Sequence, residues 1–122
     1  MSKIKILLTD DHTLFRQGIR TLLASETDME VVGEAGSGMD AVAMAHELRP
    51  DVVLMDIGMP GMSGHEVARH IRAQPEFKNI KLVALTGWGQ EEDRRQSKAS
   101  GFDHHLTKPV NLKTLKDLLA NI

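Results

Sequence analysis

The 122-residue sequence contains no cysteine, few aromatic residues and no long apolar run. Without cysteine, the chain has no disulfide framework and no thiolate to act as nucleophile or metal ligand. Aromatic residues make up only 3% of the chain, so aliphatic side chains and seven methionines must fill the core. No apolar run approaches the length of about 20 residues that a membrane span needs, so we expect no membrane segment.

Charge and length narrow the classes of function further. The formal net charge is -2, which gives no basic field, so we expect no direct binding to nucleic acid. The apolar run near the N-terminus is too short for a signal peptide, and we expect a cytoplasmic location. The length suits one hydrophobic core, so residues 1–122 are predicted to form a single domain.

Short apolar runs alternate with segments of helical periodicity along the whole chain. Five runs are predicted strands, at 4–9, 29–35, 52–56, 80–85 and 104–107. A helical segment follows each of them, and the fourth, at 90–100, has little apolar surface. This alternation predicts an α/β fold with a parallel five-stranded sheet and helices on both faces. One such arrangement is the doubly wound, flavodoxin-like order 2-1-3-4-5.

Local signals also predict helix ends and buried faces. The predicted inward face of the first helix comprises Leu14, Phe15, Gly18, Ile19, Leu22 and Leu23. Ser63 and Glu66 have the spacing of a capping box at the start of the third helix. Asn111 is the predicted N-cap of the last helix.

Polar residues stand at the ends of four predicted strands. Asp10 and Asp11 follow the first strand, Asp56 ends the third, Thr86 follows the fourth and Lys108 follows the fifth. In a parallel sheet these ends share one edge, where α/β proteins bind ligands. Three carboxylates at one place need a cation, and oxygen ligands suit Mg²⁺. Asp56 is then a candidate nucleophile for a phosphoryl group that Thr86 and Lys108 contact.

Each of these residues also has an ordinary structural explanation. Asp10 or Asp11 alone is a common cap for the first helix, and Asp56 alone is a common turn residue. Thr86 is an ordinary strand end, and Lys108 an ordinary surface lysine. Because these residues stand at the same end of four different predicted strands, one joint site is favoured over a separate structural role for each residue.

The same residues lie in four motifs that resemble the receiver domain of two-component response regulators, including chemotaxis receivers. The motifs are Leu8-Thr9-Asp10-Asp11-His12, Val53-Leu54-Met55-Asp56-Ile57-Gly58-Met59-Pro60, Ala84-Leu85-Thr86-Gly87 and Leu106-Thr107-Lys108-Pro109-Val110. Any one motif is weak, but four in order at these spacings are specific. The resemblance covers essentially the whole chain.

The resemblance implies a phosphorylation-dependent switch rather than an enzyme that turns over a metabolite. Asp56 would accept phosphate from a histidine kinase or a histidine phosphotransfer protein, and the domain would catalyse only its own phosphorylation and dephosphorylation. Asp10, Asp11, Asp56 and the backbone carbonyl of Gly58 would bind Mg²⁺. Thr86 and Lys108 would contact the phosphoryl group, and the Lys108–Pro109 peptide would be cis.

The resemblance also implies how the switch is read out. Phosphorylation would draw Thr86 inward and turn a side chain on the fifth strand. That side chain is usually Tyr or Phe, and here it is His105, which we expect to weaken the switch or make it pH-sensitive. The changed surface would comprise the segment at 90–100, the fifth strand and the last helix. That surface would bind an effector domain or protein, or a second copy of the chain.

Two other functions remain open at this stage. An Mg²⁺-dependent phosphohydrolase with an Asp nucleophile often has a second Asp two residues later, where this chain has Gly58. A flavodoxin-like cofactor-binding domain needs a phosphate loop rich in hydroxyl and N–H groups, where this chain has Asp10 and Asp11. The sequence does not decide whether the receiver stands alone or belongs to a longer protein.

Overall fold

A computed structural model describes residues 3–58, 63–86, 101–108 and 110–120. Five strands form one parallel sheet in the order β2-β1-β3-β4-β5, which confirms the predicted topology. The strands are β1 (Ile4–Thr9), β2 (Met29–Ala35), β3 (Val52–Asp56), β4 (Lys81–Thr86) and β5 (His104–Thr107). Strand β4 lies one residue later than predicted, so Thr86 is its last residue.

Four α-helices are present among the described residues. They are α1 (Thr13–Ala24), α2 (Gly38–Leu48), α3 (Gly64–Arg72) and α4 (Leu112–Ala120), and a short 3₁₀ helix spans Pro75–Phe77. The helix predicted at 90–100 and the Lys108–Pro109 peptide lie outside the described residues.

Side-chain caps fix three helix starts where the sequence has a short polar residue. Ser37 Oγ accepts a hydrogen bond from the Asp40 amide at 3.2 Å in α2, and Ser63 Oγ accepts one from the Glu66 amide at 3.3 Å in α3. Asn111 Oδ1 accepts hydrogen bonds from the amides of residues 113 and 114 at 2.8 and 3.3 Å. Both predicted caps are therefore confirmed.

The inner strands divide their side chains between two cores because successive residues point to opposite faces of the sheet. One core packs the sheet against α2 and α3, and its residues from the inner strands are Leu7, Val53, Met55, Leu82 and Ala84. The other packs the sheet against α1 and α4, with Ile6, Leu8, Val52, Leu54, Val83 and Leu85. Strand β3 is buried throughout, as its unbroken apolar run predicts.

The prediction for the buried face of α1 is wrong at three positions. Leu14 is 83% exposed, Leu22 is 37% exposed, and Gly18 is also exposed. The residues that pack on the sheet are Phe15, Ile19 and Leu23, which follow one another at intervals of four. Leu14, Gly18 and Leu22 each precede one of these by one residue, which on a helix is a rotation of about 100° away from the contact.

Arg72, at the end of α3, anchors the segment that leads into β5. Its guanidinium donates hydrogen bonds to the carbonyls of Gly101 at 2.9 Å and Ile80 at 2.8 Å, and it pairs with the Asp103 carboxylate. Asp103 also accepts a hydrogen bond from the Leu82 amide at 2.8 Å. These contacts hold the start of β5 against β4, and therefore help to place Lys108 at its other end.

Candidate functional site

The carboxyl ends of β1 and β3 bring three aspartates and a histidine together. Asp10 and Asp56 are buried, at 1% and 7% exposure, whereas Asp11 and His12 are exposed. Each of the four offers one ligand atom, and these atoms all lie within 4.8 Å of one another. The cluster that the alternating pattern predicts at this edge of the sheet is therefore present.

Lys108 supplies a positive charge to the buried part of the cluster. Its Nζ donates a hydrogen bond to Asp10 Oδ2 at 2.7 Å and lies 3.5 Å from Asp56 Oδ2. The ammonium group also lies 4.2 Å from the centre of the Phe15 ring, in cation–π geometry. The lysine side chain is only 20% exposed, so it is not the ordinary surface lysine of the alternative explanation.

The turn between β1 and α1 is built around Asp10. Its Oδ1 accepts a hydrogen bond from the His12 amide at 2.8 Å, and its own amide donates to the Ala35 carbonyl at 3.0 Å. His12 is the N-cap residue of α1 and makes no side-chain capping bond. The explanation of Asp10 or Asp11 as the helix cap is therefore wrong, and their carboxylates face the cluster instead.

His12 was not assigned to the site by sequence reasoning, yet its ring touches two of the carboxylates. His12 Nδ1 lies 3.1 Å from Asp10 Oδ1 and 3.2 Å from Asp11 Oδ1. Its place directly after the acidic pair was the only sequence signal for this contact.

The loop after β3 holds Asp56 in place through backbone contacts. The Gly58 amide donates to Asp56 Oδ1 at 3.0 Å. Gly64, the first residue of α3, packs so closely on this loop that a Cβ there would lie 2.6 Å from the Ile57 Cα and 3.0 Å from the Asp56 carbonyl oxygen. Glycine is required at this position because any side chain would push α3 away from the strand end.

Thr86 and His105 lie beside the cluster, on the next two strands. Thr86 is 3% exposed, and its Oγ1 lies 3.1 Å from His105 Nε2, within hydrogen-bond distance. The Lys108 amide donates to the Thr86 carbonyl at 2.6 Å, and Leu85, the neighbour of Thr86, pairs with Asp56 across the sheet. The structure thus joins the two residues that were predicted to form the switch.

The donor chemistry of the cluster fits Mg²⁺. Two of the three carboxylates are buried, and in the described part of the site Lys108 contributes one compensating ammonium. A divalent cation with oxygen ligands would balance the remaining charge and retain positions for water or phosphate oxygens.

Residues 6–120 match the profile of the response regulator receiver domain. The chain belongs to this family. Receiver domains are signalling switches of two-component systems rather than classical enzymes, and they generally bind Mg²⁺ at an acidic site. Response regulators interact with histidine kinases and with effector domains.

Named relatives of this receiver domain agree with the family assignment. The response regulator protein VraR of Staphylococcus aureus is 38% identical over 114 residues, which are 93% of this chain and 54% of the relative. The chain thus spans about half the length of the curated relatives it matches.

Solved structures show the same receiver fold. Chemotaxis protein CheY4 of Vibrio cholerae has a TM-score of 0.89 and 30% identity, with 99% of each chain covered. A DNA-binding response regulator of the LuxR family from Staphylococcus aureus has a TM-score of 0.86 and 26% identity, with 97% of each chain covered. The likeness confirms the flavodoxin-like fold. Within the described residues, this receiver domain has no helix of the length and apolarity that crossing a membrane requires.

Proposed function

We propose that residues 1–122 form one receiver domain whose Asp56 accepts a phosphoryl group from the phosphohistidine of a histidine kinase or a histidine phosphotransfer protein. The observation that supports this most strongly is the position of Lys108, whose ammonium group lies within 3.5 Å of carboxylate oxygens of both Asp10 and Asp56. Two buried carboxylates and an ammonium group therefore lie together where β1, β3 and β5 end, which supports a role for Asp56 as the nucleophile.

In the proposed transfer, an Asp56 carboxylate oxygen attacks the phosphorus atom. A P–O bond forms as the P–N bond of the phosphohistidine breaks, and the electron pair of that bond returns to the imidazole nitrogen. Lys108 would neutralise a phosphoryl oxygen, and Thr86 would donate its hydroxyl hydrogen to another. Because Thr86 Oγ1 lies 3.1 Å from His105 Nε2, that donation would change the contact between β4 and β5.

Asp10, Asp11, Asp56 and the Gly58 carbonyl are the proposed Mg²⁺ ligands. When bound, Mg²⁺ would offset the charge that the carboxylates and the phosphoryl oxygens bring to one place. The chain's own contribution is to hold Asp10 through the Lys108 and His12 contacts and to hold Asp56 through the Gly58 amide.

The readout belongs to the same proposal. Movement of Thr86 and His105 would alter the surface around β5 and α4, to which an effector domain, an effector protein or a second receiver would bind. We also propose a cytoplasmic location, since the phosphodonor is a two-component kinase or phosphotransfer protein.

The test is intact-protein mass after incubation with phosphoramidate, a small donor with the P–N bond of phosphohistidine. We expect a gain of one phosphoryl group that requires Mg²⁺ and is lost in Asp56→Asn. Asp51→Asn is the matched control because Asp51 is exposed just before the opposite end of β3, where it accepts a hydrogen bond from the Lys5 amide. The control is expected to gain the phosphoryl group as the wild type does.

Two other results would redirect the assignment. Sustained Mg²⁺-dependent hydrolysis of a phosphomonoester would favour the phosphohydrolase, and tight binding of a flavin would favour the cofactor-binding domain. A phosphoryl gain that persists in Asp56→Asn would contradict the proposed acceptor.

A further inference from the structure

Arg16 is a largely buried cation that the proposed phosphorylation chemistry does not use. It lies in α1, one turn after the acidic pair, and its side chain is 17% exposed. Its Nη1 donates a hydrogen bond of 2.7 Å to the backbone carbonyl of Asp10. The guanidinium thus holds the backbone of a residue whose carboxylate is a proposed metal ligand.

Glu34, on β2, holds Arg16 in this position. Arg16 Nε lies 3.4 Å from Glu34 Oε1, an ion pair without hydrogen-bond geometry. The second Glu34 oxygen, Oε2, accepts a hydrogen bond of 2.5 Å from Arg20 Nη1. Gly36, two residues beyond Glu34, leaves room for the guanidinium, because a Cβ there would lie 3.0 Å from Arg16 Nη1.

Arg16 therefore connects the turn after β1, helix α1 and the end of β2. Asp10 is tied to the same strand end by the hydrogen bond from its amide to the Ala35 carbonyl at 3.0 Å. The Asp10 amide is thus bonded directly to β2, and the Asp10 carbonyl is bonded to Arg16, which in turn pairs with Glu34 of β2. This arrangement restricts rotation of the Asp10 backbone, and with it the direction of the carboxylate.

We propose that Arg16 is a positioning residue that sets the affinity of the site for Mg²⁺ by fixing Asp10, and that Glu34 cancels the charge of Arg16 so that it does not repel the cation. This inference rests on the proposed Mg²⁺ site. Mg²⁺ needs near-octahedral oxygen ligands at about 2.0–2.1 Å, so a small rotation of Asp10 weakens binding. A guanidinium without its carboxylate partner would oppose a dication through an interior of low dielectric constant.

The test is calorimetric titration of Mg²⁺ into Arg16→Met, Arg16→Lys, Glu34→Gln and Arg20→Met. Arg16→Met keeps much of the side-chain length but removes the bond to Asp10, and we expect a Kd roughly 10-fold to 100-fold higher, the range typical of lost support to a metal ligand. Arg16→Lys keeps the positive charge and a group that can donate a hydrogen bond to the Asp10 carbonyl, so it is expected to recover part of the affinity.

Glu34→Gln separates the effect of charge from that of position. It leaves the Arg16 bond to Asp10 possible but removes the negative charge, so Mg²⁺ is expected to bind more weakly, and the loss is expected to shrink as salt screens the interaction. Arg20→Met is the matched control because Arg20 contacts the same Glu34 but has a side chain 61% exposed. It is expected to bind Mg²⁺ as the wild type does.

Phosphorylation at saturating Mg²⁺ distinguishes positioning from general loss of structure. If Arg16 acts through Asp10, excess Mg²⁺ restores the mass gain of Arg16→Met, and half-maximal phosphorylation shifts to higher Mg²⁺. Equal Kd values for Arg16→Met and the wild type would overturn the inference and leave the proposed function intact. A wild type that binds no Mg²⁺ would overturn both.

Discussion

Lys108 gives the sharpest test of the charge balance at the site, because its removal leaves the buried carboxylates without that ammonium. In Lys108→Met the aliphatic packing near Phe15 is largely kept, but the contacts of Nζ with Asp10 at 2.7 Å and Asp56 at 3.5 Å are lost. Loss of one partner from a fully buried ion pair costs about 3–5 kcal/mol. Because the Lys108 side chain is 20% exposed, we expect a loss of about 2–3 kcal/mol in the free energy of unfolding without Mg²⁺.

Saturating Mg²⁺ is expected to remove most of this loss. The ammonium no longer competes with the cation in Lys108→Met, so Mg²⁺ should bind the variant more tightly than it binds the wild type. Saturating Mg²⁺ also stabilises the wild type, so the deficit shrinks only by the ratio of the two Kd values, and a Kd about 100-fold lower in the variant recovers about 2.7 kcal/mol. The mass gain with phosphoramidate is expected to fall even in Mg²⁺, because the cation does not replace the contact of Lys108 with the phosphoryl group.

The assay is urea unfolding followed by circular dichroism, with and without MgCl₂. Lys116→Met is the control, since Lys116 Nζ pairs with Glu26 at 3.2 Å and the lysine side chain is 45% exposed. A surface pair of this kind contributes about 0–1 kcal/mol, and its loss should not depend on Mg²⁺. A deficit in Lys108→Met that is the same with and without Mg²⁺ would refute the reasoning.

Three further predictions concern the scaffold around the site, each measured as the free energy of unfolding in urea. Ser63→Ala removes the acceptor of the Glu66 amide and should cost about 1 kcal/mol, whereas Ser63→Asp should retain most of the stability. Gly101→Ala should cost about 1–3 kcal/mol, because residue 101 has a φ of +107° and a Cβ there would lie 2.6 Å from Arg72 Cγ; an unchanged midpoint would contradict this geometry. Phe77→Ala should cost about 3–5 kcal/mol because the ring is fully buried. The folded variant should still gain one phosphoryl group. A folded variant that gains none would show that the region around Phe77 is coupled to the Asp56 site.

The sequence was most informative where a single strand decides the structure. The unbroken apolar run 52–55 predicts a strand buried on both faces, and Asp56 at its end follows directly. The predicted parallel order then places Asp10 and Lys108 at the same edge, and their Nζ–Oδ2 contact of 2.7 Å joins residues 98 positions apart in the chain. These predictions depend on local patterns and on one topological rule, so they needed no side-chain detail.

The sequence was least informative where long side chains reach across elements. Arg16 and Arg72 look like ordinary helix-surface cations, yet they bond to the carbonyls of Asp10 and Gly101 respectively. Periodicity does not reveal such contacts because they depend on the distance between separate elements. Leu14 shows a related limit, since helical spacing allowed it on the inward face but packing on the sheet selected Phe15 instead.

The most direct test of the central claim is to locate the phosphoryl group itself. The protein is incubated with phosphoramidate and Mg²⁺, reduced with borohydride to convert an aspartyl phosphate to homoserine, and mapped by peptide mass spectrometry. We expect homoserine at position 56 only, and none when Mg²⁺ is withheld. Homoserine at Asp10 or Asp11 with an unmodified Asp56 would contradict the assignment of Asp56 as the phosphoacceptor.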